Sequence, residues 1–445
     1  MSIDFFSLVC LVVANMIGSG LYTSSGFALS SLGRADLVMW VWVIAGVMAL
    51  CGAVSYGAIA KRLPDSGGEY LYLSRLIHPS VGFLAGWISL VAGFTGPLAA
   101  AALVFAVYAD ATALNRWNLD QKLIASIVII VATLVHAMRL RTGLWTQNIA
   151  VVIKIAGLGI LIVWGLSEVG LSPTHSGVIP ITASVNATPF LIALSMLSSL
   201  VWISLSYTGF NAAVYVAGES KNAKAMVPIA MLTATILVTA IYLCLNYLFL
   251  FGCSPESIAG EPRIAEVAAS AIGGPWMSRL MTATILLSSW TSVLSLLMTG
   301  PRVYAKMADD RLLPRLFQHS NNVPRVAIFV QAVLSIAVVY AANLRDLIGF
   351  LGLTLTACGA MTIASMWRIH RVLPDAPLLK WYEHLTSAVF IGLTCSMILV
   401  ASTFQVAQFY TMLATFASGL LLYYLSRKFM PKRQEDKPAV EWSTE

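Results

Sequence analysis

Long apolar runs dominate this chain, and they settle most of what it can fold into. About 20 apolar residues in helical form cross the hydrocarbon core of a bilayer. Twelve such runs can be marked, at 5–28, 36–61, 82–109, 121–139, 145–167, 189–216, 227–252, 276–305, 325–343, 347–368, 383–402 and 406–427. Nothing in lipid satisfies freed backbone groups, so each run is expected as a helix. Charge agrees: of 445 residues only 11% are charged and 58% are hydrophobic, whereas soluble domains carry about 25% charged residues. These proportions exclude an ordinary soluble enzyme, a disordered chain and a fibrous one. The expectation is an all-α membrane protein with 12 transmembrane helices.

An even number of spans puts both termini on one side. With that side cytoplasmic, 20 of the 27 Lys and Arg lie at cytoplasmic span ends or in the C-terminal tail. Six lie outside (Arg34, Arg116, Lys122, Arg263, Arg279 and Arg345), and Lys154 falls within a span. Basic residues stay on the cytoplasmic side of a membrane protein, so both termini are expected there. The net charge of +7 is thus spread over span ends, with no basic stripe for nucleic acid. Six scattered cysteines show neither metal spacing nor a disulfide framework, so no metal and no cofactor is expected. Asp4 stands where a signal peptide would be basic, and no cleavage site follows the first apolar run. With short loops and no targeting signal, a bacterial inner membrane is the expected location. The polar tail 429–445 is expected to be disordered.

Two spans are interrupted. The first carries Gly18-Ser19-Gly20, and the sixth carries Tyr207-Thr208-Gly209-Phe210-Asn211. Span 1 opens the first five spans and span 6 the next five. Paired interruptions at matching places in two halves mark an inverted-repeat transporter and its binding site. The expected units are 1–168, with spans 1–5, and 189–370, with spans 6–10. Two extra helices follow in 382–428.

A broken helix leaves unpaired N–H groups on one side of the break and unpaired C=O groups on the other. The N–H end attracts a carboxylate and the C=O end an ammonium. An α-amino acid carries both charges, so two broken helices can hold its backbone and leave selectivity to the walls. The expected substrate site is Met16, Ile17, Gly18, Ser19, Gly20, Leu205, Ser206, Tyr207, Thr208, Gly209 and Asn211. Carbonyls near Met16, Leu205 and Thr208 would take the ammonium. Close helix packing by small residues competes with this reading at Gly18–Gly20, and an interhelical hydrogen bond competes at Asn211.

Lys154 lies ten residues into span 5. A lysine at mid-membrane costs roughly 2.5–3.5 kcal/mol on insertion scales, which argues for a function. Two roles fit: a permanent cation where other transporters bind sodium, bracing span 1, or a desolvated amine that shuttles a proton. Ser289, Ser292 and Ser295 are candidates to surround the ammonium.

Four motifs then carry a resemblance. They are Met16-Ile17-Gly18-Ser19-Gly20-Leu21-Tyr22; Pro64-Asp65-Ser66-Gly67-Gly68-Glu69-Tyr70; Tyr207-Thr208-Gly209-Phe210-Asn211 with Gly218-Glu219-Ser220-Lys221-Asn222; and Gly300-Pro301-Arg302 with Met307-Ala308-Asp309-Asp310. In this order the chain resembles the amino acid–polyamine–organocation permeases over nearly its full length. Gln147, Lys154 and the Y-x-G-F-N form make it most similar to bacterial relatives of the L-type amino acid transporters. The resemblance implies a leucine-transporter-type fold of 5+5 inverted repeats, with helices 1 and 6 broken and two helices added. It also implies sodium-independent amino acid transport, often by exchange, with Lys154 filling a vacated sodium position and Asn211 matching the L-type asparagine. Leu205 stands where related transporters have an aromatic gate, and Leu296 where basic-substrate antiporters have a tryptophan. No carboxylate from spans 1, 6 or 8 lies near the centre, which favours neutral substrates.

The function expected is exchange of neutral L-amino acids by alternating access. Proton symport, or an amino acid sensor that moves nothing, are the alternatives. No Ser/His or His/Glu constellation lies within the spans, so an enzyme is not expected. L-type relatives in animals join a single-span partner through a cysteine between spans 3 and 4. Residues 110–120 hold no cysteine, so no ancillary subunit is expected.

Overall fold

The computed structural model describes residues 3–110, 119–137, 144–170, 188–310, 312–317 and 325–429. The tail expected to be disordered falls outside these residues after 429, as do Arg116, Arg139, Arg141 and most of the 110–120 loop. Among the described residues the chain is helical, with a single isolated bridge between Ile3 and Ser220.

Helix α1 (Phe5–Met16) starts at Asp4, whose carboxylate accepts the Ser7 N–H at 2.9 Å. It stops at Ile17, and Gly18 is extended. A 3₁₀ turn, Ser19–Tyr22, then leads into α2 (Ser24–Leu32), which ends on Gly33 at φ 67°. Glycine adopts that left-handed conformation without a Cβ clash. The next elements are α3 (Ala35–Arg62), α4 (Gly68–Leu76) and α5 (Pro79–Ile88). A wide turn, Ser89–Thr95, carries α5 into α6 (Gly96–Asp110), and α7 (Gln121–Ala137) and α8 (Leu144–Val169) follow.

Helix α9 (Pro189–Tyr207) begins with a Thr188 cap and Pro189 in its first turn. It ends at Thr208 in extended backbone, and a 3₁₀ helix, Ala212–Glu219, resumes after Asn211. Then come α10 (Ala223–Phe251), the short α11 (Pro255–Ile258) and α12 (Ile264–Asp309). The last is two helices across a kink at Gly273 and Gly274, just before the expected start of span 8. The bundle closes with α13 (Arg325–Ala341), α14 (Leu344–Ser365), α15 (Ile369–Val372), α16 (Trp381–Phe404) and α17 (Val406–Phe429).

Nine stretches among the described residues are long and apolar enough to cross a membrane, and three shorter apolar helices (5–16, 121–136 and 325–341) accompany them. The outside of the bundle is apolar: α8 exposes Ile149, Val152, Ile153, Ile160 and Val163. Water does not tolerate so continuous an apolar face, whereas lipid does. The chain is therefore an integral, multi-pass membrane protein. The core lies around α1, α2 and α9, whose facing side chains are buried against α3, α10 and α12.

Candidate functional site

The two interrupted helices meet at their breaks. A Cβ placed on Gly20 would lie 2.9 Å from Ser206 Cα and 3.0 Å from Ser206 N, so the first break presses directly on the end of α9. Gly209 has φ 95°, and a Cβ there would lie 2.8 Å from the carbonyl of Asn15. Both positions demand glycine for a stated reason. Gly18 does not, because its nearest side-chain neighbour would be Ser292 Oγ at 3.9 Å.

Tyr242, on α10, joins the breaks. Its hydroxyl lies 2.6 Å from the Met16 carbonyl and 2.8 Å from that of Ser206, with one proton to donate between them. Tyr207 donates to the Trp42 carbonyl at 3.1 Å, and Tyr242 packs edge to face on both Trp42 and Tyr207, which are tilted to each other. The second break is closed locally, since both the N–H and the hydroxyl of Thr208 donate to the Leu205 carbonyl.

A cavity of about 50 Å³ sits in this junction. Gly18, Ser19 and Gly20 line it with Met16, Leu205, Thr208 and Leu296. The N–H groups of Ser19 and Gly20 open a helical turn and so have no intrahelical acceptor. Leu205 and Leu296 are among its apolar walls, Asn15, Thr208 and Ser292 among its polar ones, and no charged side chain lines this cavity. A second cavity of about 100 Å³ adjoins the first, with Asn15, Pro97, Thr208 and Leu296 lining both. It extends past Tyr207, Gly209 and Asn211 to Tyr56 and Glu69.

Lys154 is fully buried in the middle of α8, and its ammonium donates to the Ile17 carbonyl at 2.9 Å. Ser288 and Ser292 place their hydroxyls 3.3 and 3.5 Å from the same oxygen. The lysine therefore secures the carbonyl freed at the first break. The arrangement differs from expectation at Ser289, whose hydroxyl is buried without a partner while Ser288 takes the place foreseen for it. Ser288 and Ser292 are four apart and share a helix face, which Ser289 leaves by one position. Ser295 instead approaches the Asn15 amide, at 3.5 Å.

The other expected residues divide. Met16, Gly18, Ser19, Gly20, Leu205 and Thr208 line the smaller cavity, and Tyr207, Gly209 and Asn211 line the larger one. The Ile17 side chain is buried and contributes its carbonyl to Lys154 rather than a wall to either cavity. The Ser206 hydroxyl lies 3.5 Å from that of Ser24. The Met16 and Leu205 carbonyls, expected to be open to an ammonium, already accept from Tyr242 and Thr208.

Glu69 was not singled out in the sequence. Gly67 (φ 140°) and Gly68 (φ 58°) turn the chain so that α4 brings this carboxylate inward. It is only 5% exposed. Tyr56 and Asn211 donate to Oε1, the latter at 3.2 Å, and the Cys358 thiol lies 3.3 Å from Oε2. Burial raises its pKa above the ordinary carboxyl value, against the opposing pull of the Tyr56 and Cys358 bonds.

Among the described residues no cluster of His, Cys, Asp and Glu is arranged to hold a metal. An apolar bundle enclosing cavities at two helix breaks, where backbone N–H and C=O groups are freed, is the architecture of a membrane permease. A family model described as amino acid permease matches residues 3–438, and the chain belongs to that family, within the amino acid–polyamine–organocation superfamily. Its members are transporters rather than enzymes.

Similar proteins agree. The serine/threonine exchanger SteT of Bacillus subtilis is 25% identical over 341 residues, covering 75% of each chain. The human large neutral amino acids transporter small subunit 2 is 24% identical over 381 residues, covering 84% of this chain and 71% of that one. The human Asc-type amino acid transporter 1 is 23% identical, with 85% and 76% covered.

Proposed function

We propose that this chain is a sodium-independent secondary transporter that exchanges neutral L-amino acids by alternating access. The observation that carries the reading is the cavity between the two breaks. It offers free N–H groups at Ser19 and Gly20 to a carboxylate and carbonyl oxygen to an ammonium. Its remaining walls are apolar at Leu205 and Leu296. No side-chain charge in this cavity selects a cationic substrate. Lys154 supports sodium independence, since its ammonium holds the Ile17 carbonyl where a metal cation would otherwise bind. Relatives named for serine and threonine exchange and for large neutral amino acids support the substrate class.

In this reading residues 1–168 and 189–370 are the two inverted repeats of a twelve-helix protein. Residues 382–428 are the added pair, and both termini face the cytoplasm of a bacterium. The chain works without an ancillary subunit. The test is uptake of labelled alanine, serine and leucine into proteoliposomes in sodium-free buffer. Uptake that appears only with unlabelled amino acid inside supports exchange. Equal uptake into empty vesicles, driven by an inward proton gradient, would replace exchange with symport. No flux at all would leave a sensor.

A further inference from the structure

We propose that Glu69 is a proton-binding site on the substrate pathway, protonated while the pathway is closed and losing its proton when the pathway opens toward the face carrying the N-terminus. The inference rests on the transport reading above, but its first test does not.

The carboxyl belongs to α4, between two spans, yet it lines the larger cavity, which adjoins the one at the first break through Asn15, Pro97, Thr208 and Leu296. Among the described residues no ion pair includes it. The groups facing it are neutral: Tyr56 from α3, Cys358 from α14, and Asn211 and Tyr215 from the second break and the 3₁₀ helix after it. On α4 itself Arg75 is engaged with Asp65, and on α15 neither His370 nor Arg371 bonds to it.

A buried carboxylate with no cation is costly, and taking up a proton removes the charge. Its side-chain partners include Asn211, the last residue of the second break, so its charge state is tied to the geometry of that break. Opening admits water along the cavity and returns the group toward an ordinary carboxyl, which is ionised at neutral pH. One proton then leaves on opening and is retaken on closing. Acid on that side therefore opposes opening.

The first test is infrared difference spectroscopy of purified wild type against Glu69→Gln at neutral pH. The expected result is a protonated-carboxyl C=O band that the variant lacks and that moves to lower frequency in heavy water. Spectra that coincide in this region mean an ionised Glu69 and overturn the proposal, whatever the protein transports. In exchange assays with equal pH on both faces, the wild-type rate is expected to fall severalfold from mildly alkaline to acidic buffer, and Glu69→Gln to stay flat. A variant with the wild-type profile overturns the link to opening. Tyr56→Phe removes a donor that favours the ionised form, so it should move the wild-type midpoint to higher pH and shift the carboxyl band. If Glu69→Gln fails to fold, an unmoved band and midpoint in Tyr56→Phe overturn the proposal instead.

Discussion

Each break is met by one buried ionisable side chain, and the two are held differently. At the first break Lys154 meets a backbone carbonyl, with the serine hydroxyls of α12 on the same oxygen. It is sealed from both cavities. At the second break Glu69 meets only side chains, from Tyr56, Asn211 and Cys358, and it lines the larger cavity. Backbone partners in a sealed site make a fixed post. Side-chain partners beside a cavity make a latch that can let go.

The sharpest way to break this contrast is to remove the contact between the breaks. Gly20→Leu and Gly209→Leu each drive a side chain into backbone, and substrate binding by either variant should fall below detection in a scintillation proximity assay. Normal affinity would show that the junction is not the site. Next, Lys154→Ala should cut counterflow by at least about tenfold, or ~1.4 kcal/mol, while the protein still purifies as a folded species. Wild-type kinetics from both membrane faces would remove the post from the mechanism.

Tyr242→Phe deletes the hydroxyl shared by the Met16 and Ser206 carbonyls. Leaving buried acceptors short of a donor costs about 1–3 kcal/mol, and a lowered thermal midpoint with weakened binding should report it.

A smaller effect tests the latch through stability. The folded Glu69 carboxyl titrates above its unfolded value because it is buried. Its neutral form thus contributes stability that is complete below the unfolded value and is lost as pH rises through the folded one. The melting temperature of wild type should therefore decline relative to Glu69→Gln in alkaline buffer and converge with it in acid. The smallest effect is expected at the exposed Asp65–Arg75 pair beside the latch. There Asp65→Asn should shift stability by no more than about 0.5 kcal/mol, and less in high salt.

Much of this was legible in the sequence. The apolar runs could only be helices in lipid, and each marked run is mainly helix where the chain is described, with the two expected interruptions at Ile17–Gly18 and Thr208–Asn211. Gly18–Gly20 and Thr208–Asn211 announced themselves because lipid leaves no innocent reason for polar and glycine residues in mid-span. Lys154 stood out for the same cause. What escaped notice lay where that contrast is missing. Glu69 sits between spans, where acidic residues are ordinary, and only the turn at Gly67–Gly68 reveals that α4 folds back inside. Tyr242 is one aromatic residue in an apolar helix, and its hydroxyl gains meaning only when both breaks arrive beside it. Ser288, which approaches the Ile17 carbonyl where Ser289 is expected to lie near the ammonium, differs from it by one residue, and helical register is uncertain by a residue when span boundaries are.

At the very start of the described chain, the Ile3 N–H donates to the Glu219 carbonyl at 3.0 Å, and Ile3 pairs with Ser220. Those residues end the 3₁₀ helix that follows the second break, and Ile3 leads straight into α1. While that stitch holds, the two half-helices on this face share one handle. In the proposed alternating-access cycle they would swing together, with the fulcrum at the two breaks themselves.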